Sequence, residues 1–141
     1  MRNKFFLKIN SIVVLALILS MMSCTNHKQT IRENLNLGVK ASYAGKWAIA
    51  IKHFDTVLDM DSTNTEAYLD LAKVYIGKRQ YTKAMNFLNK AISINPKYGD
   101  AYLSRARLYT IYGNKEAACK DYLKAQANGV ENLYNYTKFC K

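Results

Sequence analysis

Cysteine and histidine are the side chains here best suited to nucleophilic, redox or metal chemistry, and there are few: Cys24, Cys119 and Cys140, with His27 and His53. A zinc site draws its ligands from closely spaced pairs, and a reactive dithiol needs Cys-x-x-Cys. No Cys-x-x-Cys occurs, and neither histidine stands at ligand spacing from Cys119 or Cys140. His53 has no nucleophile or carboxylate pair at a meaningful distance along the chain, and His27 sits in a polar stretch, so neither is placed as a general base. No glycine-rich phosphate loop is present. The chain is expected to be no enzyme, to hold no metal or cofactor, and to take no small-molecule substrate. Its work should be binding, and its cysteines should serve structure and attachment.

The segment ahead of Cys24 is ordered in a telling way. Arg2, Lys4 and Lys8 form a basic start, residues 12–19 are an unbroken apolar run, and Ser20-Met21-Met22-Ser23-Cys24 follows. This is the order of an export signal, since the run falls far short of the ~20 residues a membrane-spanning helix requires. Ser23-Cys24 after such a run resembles the lipobox of bacterial lipoproteins, with Met21 where that motif has leucine. The resemblance implies a lipoprotein-type signal peptide over residues 1–23 and a Cys24 that carries palmitate and related acyl chains. It also implies a bacterial cell-envelope location, anchored to the inner or the outer membrane and facing the periplasm. The alternatives are an uncleaved signal anchor and an ordinary signal peptide cut near Ser23.

Loss of residues 1–23 would remove Arg2, Lys4 and Lys8 and no acid, so the net charge of +11 falls only to +8. The basicity therefore belongs to the folded part. In an exported protein it points away from nucleic acid, and anionic lipid, cell-wall polymer or an acidic protein would be the counterpart. Most of the lysines are expected to be simply solvated.

From residue 31 onward the chain repeats every 34 residues. Leu37-Gly38, Leu71-Ala72 and Arg105-Ala106 fall in register, as do Ala50, Ala84 and Ala118, then Phe54, Leu88 and Tyr122. The middle copy reads Tyr68-x-x-Leu71-Ala72-x-x-Tyr75, Ala84-x-x-x-Leu88, Pro96. This pattern resembles the tetratricopeptide repeat. The resemblance implies an all-α solenoid of right-handed helical hairpins, with units over 31–64, 65–98 and 99–132 and a capping helix within 131–141. Residues 24–30 read as a polar tether. The end repeats are atypical: Asn34 and Ala41 stand where an aromatic is usual, Ser62 and Val130 replace the proline, and Arg105 replaces leucine. Terminal repeats commonly diverge in this way.

Within each unit, small residues mark where two helices approach closely, and Tyr68, Tyr75, Tyr81, Tyr98, Tyr102, Tyr109 and Tyr122 fall in columns that pack. Thr63-x-x-Glu66 reads as a capping box. Gly45, Asn95-Pro96, Gly113-Asn114 and Asn128-Gly129 read as helix stops. With Cys24 acylated, Cys119 and Cys140 remain in an oxidising compartment, and an antiparallel hairpin turning at Gly129 would bring them level. The alternative is a buried Cys119 thiol and a frayed, free Cys140.

The resemblance further implies a concave groove, lined by the first helix of each unit, for a peptide segment or helix of an envelope partner. Its columns hold Leu35, Leu69 and Leu103, then Val39, Lys73 and Arg107, with Arg32, Glu66 and Asp100 near the helix starts. The leucines read as an apolar floor, with Lys73 and Arg107 beside it for a carboxylate. Relatives that bind the C-terminal carboxylate of chaperones use a lysine, arginine and asparagine clamp, and the matching places hold Leu35, Val39, Asp70, Asp100 and Ser104. That clamp is absent. The rival reading is a structural envelope component, or an accessory subunit of an envelope assembly.

Overall fold

In the computed structural model, which describes residues 26–138 with residues 13 and 140, residues 26–138 form seven consecutive helices. Cys24 and, but for residue 13, the expected signal segment lie outside the described residues. Helix α1 covers 26–43. It is followed by α2 (Trp47–Met60), α3 (Thr65–Gly77), α4 (Tyr81–Ile94), α5 (Gly99–Ile111), α6 (Lys115–Ala127) and a short α7 (Tyr134–Thr137). They form three hairpins, α1–α2, α3–α4 and α5–α6, whose boundaries keep the repeat.

Burial follows the aligned columns. Ala50, Ala84 and Ala118 are buried, as are Phe54, Leu88 and Tyr122. The seven tyrosines placed in packing columns are all buried or half-buried, whereas Tyr43, Tyr112, Tyr134 and Tyr136 are exposed. At Gly38 the reason for a small residue is explicit: an added Cβ would lie 2.5 Å from Phe54 Cε1. Leu37 departs from its column. It is exposed, while Leu71 is fully buried.

The hairpin turns repeat as closely as the helices. Gly45, Arg79 and Gly113, one repeat apart, have φ of 69°, 57° and 73°. The following amide reaches back to the helix each time: Lys46 to the Ala41 carbonyl at 2.9 Å, Gln80 to Tyr75 at 2.8 Å, and Asn114 to Tyr109 at 2.9 Å. Two of the three left-handed positions are glycine, as this C-terminal closure favours. Arg79 takes the same conformation against a steric cost of roughly 1–2 kcal/mol.

Three local expectations are corrected. Residues 26–30, read as tether, are helical as part of α1, where the Thr30 hydroxyl donates to the Asn26 carbonyl and the Asn34 amide to that of Thr30. The capping box is replaced by Asn64, whose Oδ1 accepts from the Ala67 amide at 3.0 Å. Thr63 instead donates its hydroxyl and its amide to Asp61, bonds that hold the Asp61 carboxyl below its ordinary range. The capping helix is a single turn, because Asn132 adopts φ 59° and interrupts any helix begun at Glu131. Leu133 is nevertheless buried beside Tyr102 and Ala125, Tyr136 stacks on Tyr122 at 4.9 Å, and Phe139 lies outside the described residues.

Cys119 and Cys140 are joined by a disulfide, with Cα atoms 5.4 Å apart across a sequence separation of 21. It ties the C-terminal segment to α6. A four-residue helix has little cohesion of its own, so the cross-link is the main covalent restraint on this end of the stack. Closing a loop of that length contributes about 3 kcal/mol by the chain-entropy account. Reduction, or the Cys119→Ala/Cys140→Ala variant, should lower unfolding stability by about that amount in a denaturant titration. Coincident midpoints for the oxidised and reduced chains would show that the bond constrains nothing.

Candidate functional site

A concavity lies between the first helices of hairpins one and two. Val39, Ser42 and Tyr43 of α1 form one wall, Glu66, Asp70 and Lys73 of α3 the other, and Phe54 of α2 closes the floor, around about 280 Å³. The α1 residues fall three and four apart, on one helical face, and Glu66, Asp70 and Lys73 do likewise. Tyr43 at the rim is 90% exposed.

The electrostatics differ from the chain average. Asp70 is buried and accepts from Lys73 Nζ at 2.7 Å. Glu66 is exposed. The Tyr98 phenol, at the α4–α5 junction, is pushed up to about 12 by burial and then by the charges of Glu66, Asp100 and Asp70, so these three carboxylates share one neighbourhood. On a chain of net charge +11, this wall is locally acidic.

Of the groove residues expected from sequence, Val39, Glu66 and Lys73 come together in this pocket. Arg32 and Arg107 are exposed and belong to other stretches of the row of first helices, while Asp100, also exposed, faces Tyr98 together with Glu66 and Asp70. The leucine row is not an open floor. Leu35 is packed in the first core cluster and Leu69 in the second, while Leu103 is half-buried against the C-terminal clusters. Leu69, at 2% exposed, offers nothing to a ligand. Lys73 is likewise engaged with Asp70 and is not a free counter-ion for a carboxylate. Ser42, Tyr43 and Phe54 were not expected as lining residues, and Asp70 was placed in the groove only as a position where the carboxylate clamp is missing. Their signal lay in register: Tyr43 occupies the column of Gly77 and Ile111, and Asp70 that of Asn36 and Ser104.

His53, which the sequence does not place as a general base, is half-buried and shares a hydrogen bond with Asn34 Oδ1 at 2.9 Å. It links α2 to α1 at the place where the repeat usually has an aromatic. Among the described residues, no group of three or more His, Cys, Asp or Glu could hold a metal ion.

The sequence profile of the tetratricopeptide repeat matches residues 42–108. The DnaJ homolog subfamily C member 7 homolog of Dictyostelium discoideum is 33% identical over 73 residues, 52% of this chain and 14% of that protein. Human DnaJ homolog subfamily C member 3 is 30% identical over 103 residues, 72% of this chain and 20% of that protein. The chain thus spans a fifth or less of the length of these relatives. Among solved structures, the first TPR of Spaghetti (RPAP3) bound to the HSP90 peptide SRMEEVD superposes with a TM-score of 0.70 at 24% identity, covering 78% of this chain and 89% of that one. At that identity the likeness is one of fold.

One departure from the repeat pattern does structural work. Arg105, in the column of Leu37 and Leu71, donates from Nε to Asp121 Oδ2 at 2.6 Å and from a terminal nitrogen to Oδ1 at 3.0 Å. The other terminal nitrogen reaches Asn89 Oδ1 at 2.8 Å, and the guanidinium lies over the rings of Tyr102 and Tyr109. The fork joins α5 to α6 and to α4 of the preceding hairpin. The hydrogen bonds to Asp121 raise the Arg105 pKa further against the opposing effect of burial, so the guanidinium stays charged. Arg105→Leu, which restores the repeat residue, should nonetheless destabilise by about 3–5 kcal/mol, because it strands the buried Asp121 carboxylate. Arg105→Leu/Asp121→Leu should recover most of that loss in thermal unfolding. A double variant no better than the single one would show that packing, and not the stranded charge, sets the cost.

Proposed function

We propose that this chain, a tetratricopeptide-repeat array of three hairpins, is a lipid-anchored binding module that holds a segment of a partner protein in its concave groove. The observation that carries the binding half is the pocket between α1 and α3, where Val39, Tyr43 and Phe54 face the charged side chains of Glu66, Asp70 and Lys73. Such a surface suits a peptide whose side chains enter pockets while its backbone crosses the helix row. The HSP90 peptide held by the structurally similar domain supports this use of the fold.

The anchoring half rests on the basic start, the apolar run and Ser23-Cys24. Acylation at Cys24 would attach the module to a membrane of the bacterial envelope, and two or more chains make such attachment stable. Residues 26–30 are already helical, so the array would stand close to the membrane surface. A bound partner would be held there with it. The mechanism is thus capture combined with confinement to a surface, and it requires no chemistry from the chain itself.

A photo-reactive residue in place of Tyr43, at the groove rim, should cross-link one partner in cells, whereas the same residue in place of the exposed Leu123 of α6 should not. Cys24→Ala should shift that cross-linked complex from the membrane fraction to the soluble one. Equal labelling from positions 43 and 123 would remove the groove from the account. Membrane retention of Cys24→Ala would remove the acyl anchor.

A further inference from the structure

The pocket of about 280 Å³ between α1 and α3 already contains a clue to what it takes. Its buried carboxylate, Asp70, is satisfied by an ammonium group, that of Lys73 at 2.7 Å, supplied from the rim. The Lys73 side chain is 55% exposed, so it can swing into solvent at small cost in packing. Glu66, one turn before Asp70 on the same face of α3, lines the pocket with no counter-ion among the hydrogen bonds and ion pairs of the described residues. Across from them stand Val39 and the ring of Tyr43. A long cationic side chain lays its methylenes on apolar surface and keeps its charge at a polar rim, and an aromatic face adds to the attraction for a cation.

We propose that this pocket receives a lysine or arginine side chain from the partner's segment, its stem against Val39 and Tyr43 and its charge on Glu66 and Asp70, displacing Lys73. The inference rests on the peptide-groove reading above and specifies its ligand. It also sets the groove apart from one built for an acidic tail, because the Glu66 and Asp70 carboxylates would repel such a tail and Lys73 is already engaged. The chain's overall charge of +11 would by itself favour acidic peptides, so a preference for basic ones would have to come from the pocket.

Lys73 is then a resident competitor, and removing it should help the ligand. In the acidic-tail alternative Lys73 would be a ligand-binding residue, and removing it should hurt. The full chain would be presented with a library of randomised short peptides at physiological ionic strength, and the selected peptides measured against wild type, Glu66→Gln and Lys73→Met. The expected result is a selected set sharing lysine or arginine beside an apolar residue. Affinity should fall about tenfold with Glu66→Gln and rise several-fold with Lys73→Met, in line with the ordinary worth of a charge-assisted hydrogen bond. Since Lys73→Met leaves Asp70 without its ammonium, the same peptides should also raise the melting temperature of that variant more than they raise that of wild type. Selection of aspartate- or glutamate-rich peptides, or loss of binding in Lys73→Met, would overturn the cationic ligand and leave the groove reading standing. Peptides indifferent to both substitutions would overturn it as well, because they bind elsewhere. Failure to select any peptide would overturn the groove reading and this inference with it.

Discussion

The close approach of α1 to α2 at Gly38, where the Phe54 ring occupies the space a Cβ would fill, is the contact on which the groove depends. Phe54 is fully buried in the cluster that also contains Leu35, Val57, Leu71 and Val74, so one side chain fixes the separation of α1, α2 and α3 at once. It is also the floor of the pocket between α1 and α3. Each hairpin has an apolar face that it cannot bury alone, and stacking supplies the missing partner. The pocket is therefore a by-product of packing, and its depth is set by how far Gly38 lets the first hairpin close.

The other end of the stack is held differently. Where the first two repeats use leucine at positions 37 and 71, the third uses Arg105, clamped to Asp121 and Asn89 between two tyrosine rings. After that hairpin the described residues form one further helical turn, with Leu133 inserted beside Tyr102 and the Cys119–Cys140 bond to secure it. A buried pair of this kind contributes less to stability than equally packed leucines would, but it fixes which groups must face one another. The C-terminal hairpin is thus held by directional bonds and a covalent link as well as by apolar packing.

Most of the architecture was legible because it rests on spacing. A 34-residue period in small and bulky side chains dictates where helices approach, and burial of Ala50, Ala84 and Ala118 follows from it. The same register separated packing tyrosines from exposed ones. Spacing was less able to tell the groove from the joint between hairpins. Leu35 and Leu69 share a column on the concave side, yet each is long enough to lean into the adjacent core, and a column assignment cannot show which way a side chain leans. Pairing was also hidden: Lys73 and Asp70 are three apart on one helix, a spacing that permits an ion pair without requiring one. The single-turn cap was missed because it turns on the left-handed backbone of Asn132, and the Leu133, Tyr136, Phe139 spacing carries no sign of that.

If the Gly38–Phe54 contact sets the groove, disturbing it should loosen the pocket walls and spare the far end. Hydrogen exchange by mass spectrometry on Gly38→Ala tests this directly. Alanine gains about 1 kcal/mol of helix propensity, but three Phe54 ring atoms within 2.9 Å of the new Cβ should outweigh it, since overpacking of this kind costs about 1–3 kcal/mol. The account predicts that α1 and α3 lose protection together while α5 and α6 keep theirs, as nearest-neighbour stacking requires. Loss spread evenly over all helices, or confined to α1 with α3 unchanged, would contradict it.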